Sequence, residues 1–301
     1  MPFLIQNPLS RRRFLQGTSL LAAGMVLRPV VGAEDEATDS GTGEIRLALF
    51  SDTHIPADAG EAYRGFKPVE NLGQVLPQIV AAQPLAAILC GDAARLQGLI
   101  PDYERLKTML VPLAEECPVA IALGNHDDRA NFRKVFGNVH PGLQPVTGKH
   151  VMVLEWLRLR VIVLDSLLFV NETPGLLGKA QRLWLDHFLQ DSDDRNTVVF
   201  FHHPPDDSDG GLLDSDRVLR LLAPHPKVKA LFFGHTHVRS HTEQDGLQLI
   251  NLPAVGYNFN DSQPVGWEFA RFGKDGVDLT LHAVGGNRAD DGQTVSLSWL
   301  R

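Results

Sequence analysis

Apolar and polar residues alternate along this chain in blocks, and several apolar blocks end in polar residues. Near-continuous apolar runs predict strands covered on both faces. Residues 69–83 and 101–116 lie between such runs and carry apolar residues at three- and four-residue steps, which predicts amphipathic helices. The first half therefore predicts a parallel or mixed sheet flanked by helices. Its predicted strands are residues 45–50, 85–89 and 119–123.

The second half repeats this pattern less regularly. Residues 151–156 and 159–164 predict a hairpin, and residues 178–190 predict a helix. One domain built from two packed sheets, beginning at about Glu44, is the economical interpretation. The remaining predicted strands are residues 197–201, 228–233, 247–252, 266–272, 277–283 and 295–300.

The first 33 residues carry four arginines and no acidic residue. The segment Ser10-Arg11-Arg12-Arg13-Phe14-Leu15 resembles the twin-arginine export consensus, and a short apolar run and a small-residue cleavage site follow it. We expect residues 1–33 to be a signal peptide, residues 34–43 a flexible acidic leader, and residues 44–301 the folded domain. An uncleaved anchor or a basic amphipathic arm is the alternative.

This resemblance implies export by the twin-arginine translocase to the periplasm or another extracytoplasmic space. The apolar run is too short to span a bilayer, so no stable membrane anchor is expected.

Charge and cysteine content narrow the function further. The formal net charge is −8, and removal of residues 1–33 leaves 24 basic and 36 acidic side chains, a charge of −12. This acidity disfavours a general nucleic-acid binder, which needs surplus Lys and Arg. Cys90 and Cys117 are too few for a disulfide framework or a thiolate zinc cluster. Any metal must therefore be held mainly by nitrogen and oxygen ligands.

Histidines and carboxylates fall just after the predicted strands, at the sheet edge where open α/β sheets bind ligands. Each cluster alone is common in loops, but their joint occurrence at strand ends predicts a functional site. The clusters are Asp52-Thr53-His54, Gly91-Asp92, Gly124-Asn125-His126-Asp127-Asp128-Arg129, His202-His203-Pro204-Pro205 and Gly234-His235-Thr236-His237.

These five clusters resemble the motifs of the calcineurin-like metallophosphoesterase superfamily, over roughly residues 45–238. The segment 124–130, together with Leu164-Asp165-Ser166 and residues 181–185, is similar to the class III cyclic-nucleotide phosphodiesterases. The resemblance implies a four-layer α/β/β/α sandwich of two mixed sheets.

The same resemblance implies a centre of two divalent, or di- and trivalent, metal ions. Asp92 would bridge them, and a bridging hydroxide would be the nucleophile. The ligands contain no sulfur and suit Fe, Mn, Zn or Co. The implied ligands are Asp52, His54, Asp92 and His237 for one ion, and Asp92, Asn125, His202 and His235 for the other.

His126 is left without a metal, and the resemblance implies that it faces the substrate as a catalytic group. Its alternative is a structural histidine. His203 is expected to lie behind His202. Asp127, Asp128 and Arg129 either orient the site or cap or pack the next helix, and we favour capping or packing. Asp165 is either a carboxylate behind the ligands or an ordinary strand-end residue. The unusual residue is Arg95, where purple acid phosphatases have tyrosine.

We therefore expect an exported metal-dependent phosphoric ester hydrolase that acts on cyclic nucleotides or other small phosphodiesters. A phosphomonoesterase is the alternative enzyme. A non-catalytic scaffold of the same fold is a third possibility, disfavoured because all seven implied ligands and His126 are present.

Overall fold

The computed structural model describes residues 4–5, 43–137 and 145–301. Arg11, Arg12 and the rest of the predicted signal peptide lie outside these residues, apart from residues 4–5, as does the acidic leader up to residue 42. Within the described residues no helix has the length and apolar character needed to cross a membrane.

The described elements follow the predicted order. The helices are α1 (Pro68–Ala82), α2 (Ile100–Glu116), α3 (Arg129–Phe136), α4 (Lys179–Asp191) and α5 (Ser215–Leu222). The strands are β1 (Leu4–Ile5), β2 (Ile45–Phe50), β3 (Ala86–Cys90), β4 (Val119–Ala122), β5 (Met152–Glu155), β6 (Leu159–Val163), β7 (Asn196–Phe200), β8 (Val228–Phe233), β9 (Ser240–Gln244), β10 (Leu247–Asn251), β11 (Pro264–Phe272), β12 (Gly276–Gly286) and β13 (Thr294–Ser298).

The strands form two mixed sheets. The first has the order β1-β4-β3-β2-β11-β12-β13, with β2, β3 and β4 parallel and β11 to β13 antiparallel. The second has the order β5-β6-β7-β8-β10-β9, with β6, β7, β8 and β10 parallel. In each sheet the strands that carry the polar clusters are therefore parallel and end at one edge.

Side chains on alternate residues show how the layers stack. In β6, Val161 and Val163 belong to the core shared with the first sheet, whereas Ile162 packs with Leu185 of α4 and Val218 of α5. Helix α1 contacts β11 and β12 on the outer side of the first sheet. This gives the four-layer α/β/β/α arrangement that the motifs imply.

Three described elements, β1, α5 and β9, were not predicted. Helix α5 has buried residues at helical spacing, Ser215, Val218 and Leu222, but its eight residues are fewer than the window over which a helical period is read from sequence. Strand β9 reads SHTEQ and is an edge strand that pairs with β10 through its backbone. A polar edge strand carries no apolar pattern, and only its pairing partner reveals it.

Candidate metal centre

The parallel strands bring all seven predicted ligands to one place. Asp52 and Asp92 follow β2 and β3, and their loops are joined by the amide of Asp52 donating to the carbonyl of Gly91 at 3.1 Å. The loop after β8 faces them, because the amide of His235 donates to the carboxylate of Asp52 at 3.1 Å. The carboxyl ends of both sheets thus meet at one site.

Two groups of ligands face each other across this site. We call Asp52, His54 and His237 the Asp52 end, and Asn125, His202 and His235 the His202 end. In each of two triads, Asp52 with His54 and His237, and Asp92 with His202 and His235, the ligand atoms lie within 4.8 Å of one another. Asn125 joins the second through its Oδ1, 3.0 Å from His235 Nδ1.

Asp92 lies between the two ends. Its Oδ2 is 3.1 Å from His202 Nε2 and 3.7 Å from His54 Nε2. Its Oδ1 accepts the amide of His126 at 2.9 Å. The structure therefore places this carboxylate where a bridging ligand is expected.

Five of the seven predicted ligands adopt the left-handed backbone region. Their φ angles are 52° at Asp52, 46° at His54, 48° at Asp92, 69° at His235 and 56° at His237. For a residue with a Cβ this conformation costs on the order of 1–2 kcal/mol. Such residues collect at functional sites, where the surrounding structure holds them in place.

Glycines make room for the tight loops. A Cβ at Gly91 would overlap the ring of His202, one at Gly124 would overlap Asp92, and one at Gly234 would overlap Asp52. The Gly-Asp, Gly-Asn and Gly-His pairs of the sequence therefore have a steric reason, because each glycine lets another loop's ligand approach closely.

Each of three histidines has its ring orientation set by a backbone carbonyl. The Nδ1 atoms of His54, His202 and His237 lie 3.1, 2.8 and 2.6 Å from the carbonyl oxygens of Arg95, Cys90 and Tyr257. A carbonyl only accepts, so each Nδ1 carries a proton and donates it. This bond to the far nitrogen is the usual support of a metal-binding imidazole, whose Nε2 is then available as a ligand.

The Nε2 atoms of these three histidines face the centre and are crowded together. His54 Nε2 is 3.1 Å from His237 Nε2, and burial lowers the pKa of His54 to about 3, which keeps its Nε2 unprotonated. His202 Nε2 is buried and lies 3.1 Å from Oδ2 of Asp92. Cations placed among these nitrogens and the two carboxylates would satisfy all of them, so the residues fit a metal centre.

The electrostatics agree with this fit. Burial alone would raise the pKa of Asp52, but the imidazoles of His237 and His202 hold it well below its usual value. Burial alone would lower the pKa of His202, but the carboxylates of Asp92 and Asp52 outweigh it and raise this pKa to about 9. Burial lowers the pKa of His235 to about 4. Two buried carboxylates thus require positive charge beside them.

His126 lies at the edge of this centre and is only partly buried. Its Nδ1 is 2.9 Å from the carbonyl of Leu96, and its ring is 5.3 Å from that of His54. One ring nitrogen of His126 is within 4.8 Å of ligand atoms of both His54 and Asp92. The side chain is therefore placed to reach a group bound at the centre.

The residues around the motif have mixed roles. Asp128 caps α3 by accepting the amide of Asn131 at 2.8 Å, which confirms the capping interpretation for that residue. Asp127 instead joins two ligand loops, because it accepts the amides of Ala93, Ala94 and Gly124 and the hydroxyl of Tyr103.

Arg129 neither caps a helix nor contacts the centre. Its guanidinium forms a double hydrogen bond with the buried Asp165, at 2.6 and 2.8 Å. Asp165 also accepts the amide of His150, so of the two interpretations the structure favours a carboxylate that supports the loops behind the ligands.

His203 lies behind the ligands, as expected. Its Nδ1 is 2.7 Å from the hydroxyl of Ser166, and its ring is 4.8 Å from that of His235. Ser166 also accepts the amide of His202 at 3.2 Å. A chain from Ser166 through His203 therefore orients the His202 end.

One residue beside the centre was missed by the sequence analysis. The ring of Tyr257 is 4.7 Å from those of both His54 and His237, and its side chain is almost fully buried. It follows β10, which ends at the same edge as β7 and β8. Open α/β sheets bind ligands at the edge where their parallel strands end, and the same reasoning applied to the loop after β10 would have indicated Tyr257.

The family is shown by comparison with known proteins. Residues 45–239 match the calcineurin-like phosphoesterase family, and the chain belongs to it. Members of this family are phosphoester hydrolases that use divalent metal ions. Cys90 and Cys117 are both free and buried, as expected for a centre without sulfur.

Several similar proteins are named cyclic nucleotide phosphodiesterases, and one is named a glycerophosphodiester phosphodiesterase. The chain is 31% identical to a probable cyclic nucleotide phosphodiesterase of Rhodococcus erythropolis, over 77% of this chain and 78% of the relative. It is 27% identical to the 3′,5′-cyclic adenosine monophosphate phosphodiesterase CpdA of Pseudomonas aeruginosa, over 74% and 79%. A dimetal phosphatase of Danio rerio shares the fold, with 16% identity, a TM-score of 0.63 and coverage of 85% and 99%.

Proposed function

We propose that this chain is a phosphodiesterase that uses two metal ions to hydrolyse cyclic nucleotides or other small phosphodiesters outside the cytoplasmic membrane. The observation that carries the proposal is the set of buried imidazole nitrogens that converge on the carboxylates of Asp52 and Asp92. The names of the similar proteins support a diester over a monoester.

The seven ligands divide between the two ends. Asp52, His54 and His237 would hold one ion and Asn125, His202 and His235 the other, with Asp92 shared. When bound, two such ions neutralise charge on phosphate oxygens and lower the pKa of a water molecule. Fe, Mn, Zn or Co fits a donor set of imidazole, carboxylate and amide.

The chain's own catalytic group is His126. Its Nδ1 donates to the carbonyl of Leu96, which leaves Nε2 for the substrate. From its position beside His54 and Asp92, this ring can stabilise charge on the phosphate and protonate the leaving oxygen. Two hydrogen bonds keep the ring in that position: one from Nδ1 to the carbonyl of Leu96, and one from the backbone amide of His126 to the carboxylate of Asp92.

Hydrolysis of two model substrates tests the proposal. We expect purified protein reconstituted with Mn²⁺ to cleave bis(p-nitrophenyl) phosphate, and Asn125→Ala and His126→Ala each to remove most of that activity. A strong preference for p-nitrophenyl phosphate would instead indicate a phosphomonoesterase. Unchanged rates in both variants would contradict the assignment, and absence of metal after reconstitution would indicate a scaffold.

Export is the second part of the proposal, and the resemblance of residues 10–15 to the twin-arginine consensus supports it. The periplasmic location would make cytoplasmic cyclic-nucleotide signalling a poor fit and scavenging of phosphate from small phosphoesters a better one. The net charge of −12 beyond residue 33 favours a small substrate over nucleic acid. Replacement of Arg11 and Arg12 by lysine should keep the protein in the cytoplasmic fraction; unaltered export would contradict the prediction.

A further inference from the structure

Aromatic rings extend from the Asp52 end of the centre to the protein surface. The ring of Tyr257 contacts both His54 and His237, the ring of Tyr63 is 4.7 Å from Tyr257, and the ring of Phe259 is 4.5 Å from His237. We call Tyr63, Tyr257 and Phe259 the aromatic wall. It begins at two proposed metal ligands and ends in solvent.

The outer two rings are unusually exposed. Tyr63 is 40% and Phe259 50% exposed, whereas Tyr257 between them and the ligands is 3% exposed. Exposed aromatic rings beside a polar centre indicate a surface that a ligand covers. The third exposed aromatic ring of the described residues, Phe169, lies near the opposite end, two residues before Asn171, whose amide donates to the carbonyl of Asn125.

Arginines hold the two loops of the wall together. Arg64 donates to the carbonyls of Asn258 and Phe259, at 2.9 and 2.8 Å, and so ties the loop after β2 to the loop after β10. Arg95, the unusual residue of the Gly-Asp motif, is paired with Glu61 at 2.5 Å and lies 5.0 Å from the ring of Tyr63. The wall is therefore ordered before any ligand binds.

The turn that presents Tyr63 is also rigid. Tyr63 and Phe66 exchange two backbone hydrogen bonds, at 2.8 and 2.9 Å, around Arg64 and Gly65. Both central residues have positive φ, 53° and 84°, as a two-residue hairpin turn of the I′ kind requires. A non-glycine residue in this conformation costs energy, which the two bonds from Arg64 to the facing loop offset.

The exposed aromatic faces and neighbouring guanidinium groups of the wall favour a ligand that contains a flat aromatic ring. Aromatic faces bordered by guanidinium groups favour a flat, electron-rich ring, which stacks on them with little dependence on its exact identity. An aliphatic alcohol offers no such face. A nucleoside phosphoester with its phosphate at the centre would bring its base to rings that lie outward from His54 and His237.

We propose that the exposed rings of Tyr63 and Phe259, supported from behind by the buried Tyr257, bind the nucleobase of a nucleoside phosphoester and so give this chain a preference for nucleotides over aliphatic phosphoesters. The proposal rests on the proposed function, because the phosphate must bind at the metal centre. It assigns Tyr63 and Phe259 as specificity-determining residues and leaves the bond-breaking step to His126 and the ligands.

Two substrates and matched variants test the wall in the full, Mn²⁺-reconstituted chain. For Tyr63→Leu and Phe259→Leu we expect kcat/KM for 3′,5′-cyclic AMP to fall about tenfold each, the order expected for loss of one base stack. We expect kcat/KM for glycerophosphoethanolamine to change less than about twofold. Tyr63→Trp keeps an aromatic face and should retain the wild-type ratio of the two substrates.

The control is Phe169→Leu, which changes an exposed phenylalanine at the other end of the centre. It should leave the substrate ratio unchanged. An equal fall for both substrates in Tyr63→Leu and Phe259→Leu, or a change of ratio in Phe169→Leu alone, would overturn the proposal.

Binding of adenosine separates this proposal from the proposed function. Adenosine has the base but no phosphate, and its Kd can be measured by calorimetry without turnover. We expect it to bind the wild type and to bind each leucine variant about tenfold more weakly. If wild-type protein cleaves neither diester, the proposed function fails, but adenosine binding still tests whether the aromatic wall binds a base. Absence of adenosine binding, or equal binding to wild type and all variants, would contradict the proposal for the wall.

Discussion

The two ends of the centre are built from similar ligands but have different surroundings. Around the Asp52 end the neighbours are aromatic, with Tyr257 against His54 and His237 and the carbonyl of Tyr257 holding His237. Around the His202 end they are polar, with Ser166 and His203 behind His202 and His235. An aromatic neighbour offers a face for binding, whereas a polar one orients ligands. We infer that one end serves recognition as well as metal binding.

Asp92 is shared by both ends, so its replacement should have the largest effect. We expect Asp92→Asn to lower kcat for bis(p-nitrophenyl) phosphate by on the order of 10³-fold, because both ions lose a charged ligand. Metal analysis of the same protein should show depleted metal. Asp214→Asn is the matched control, since Asp214 is also buried but accepts the amides of Leu177 and Gly178 immediately before α4. Similar losses in both variants would show a general effect of burial.

Removing one ligand from each end separates the two ends. We expect His237→Ala and His235→Ala each to reduce the metal content from about two ions to about one per chain, with kcat lower by about 10²-fold or more. The measurement is metal analysis after dialysis, beside the rate. Loss of both ions in either variant would show that the ends do not bind metal independently.

Without metal, His202 should make stability depend on pH. Its folded pKa of about 9 lies above the ordinary 6.5, so its stabilising contribution is complete below pH 6.5 and is lost as the pH rises toward 9. We expect a loss on the order of 3 kcal/mol in the free energy of unfolding of chelator-treated protein.

The neighbouring imidazoles of His54 and His235 make the metal-free protein less stable at acid pH. His54 and His235 have folded pKa values of about 3 and about 4, so the unfolded chain takes up protons first and stability falls as the pH drops below 6.5. Metal-free protein should therefore be most stable near pH 6.5, as measured by urea unfolding. Bound Mn²⁺ should abolish the alkaline loss; if that loss persists, His202 does not bind the ion.

The smallest effect should come from the polar support of the His202 end. Ser166→Ala removes the hydroxyl that contacts His203, and we expect metal affinity at this end to fall by about tenfold, without change at the Asp52 end. Ser208→Ala, at an exposed serine whose hydroxyl donates to Asp206, is the control. Equal affinities in wild type and Ser166→Ala would show that His203 needs no such support.

Much of the candidate site could be predicted because its ligands are local to strand ends. Asp52, Asp92 and Asn125 each follow an apolar run by one to three residues, and parallel strands bring such positions together. Helix α5 and strand β9 could not be predicted in this way. Their positions depend on contacts with residues distant in sequence, and their own apolar patterns are too short or absent.

The contacts of Arg129 and Arg95 also could not be predicted from the sequence, because they involve residues distant along the chain. Arg129 is the first residue of α3, and its position alone suggests a role in that helix, yet its guanidinium reaches Asp165, 36 residues further on. Arg95 departs from the motifs of related families, and only the structure shows that it lies against Tyr63 and pairs with Glu61.

By itself the sequence determined the order of the elements, the sheet edge that carries the chemistry, and the nitrogen and oxygen donors of the centre. These follow from apolar periodicity and from residue type, both of which are local properties. Tertiary structure decided which donors face each other, that Asp92 lies between the two ends, and that Tyr257 and Phe259 border only one of them. Those relations depend on the packing of two sheets, which joins residues more than 180 positions apart.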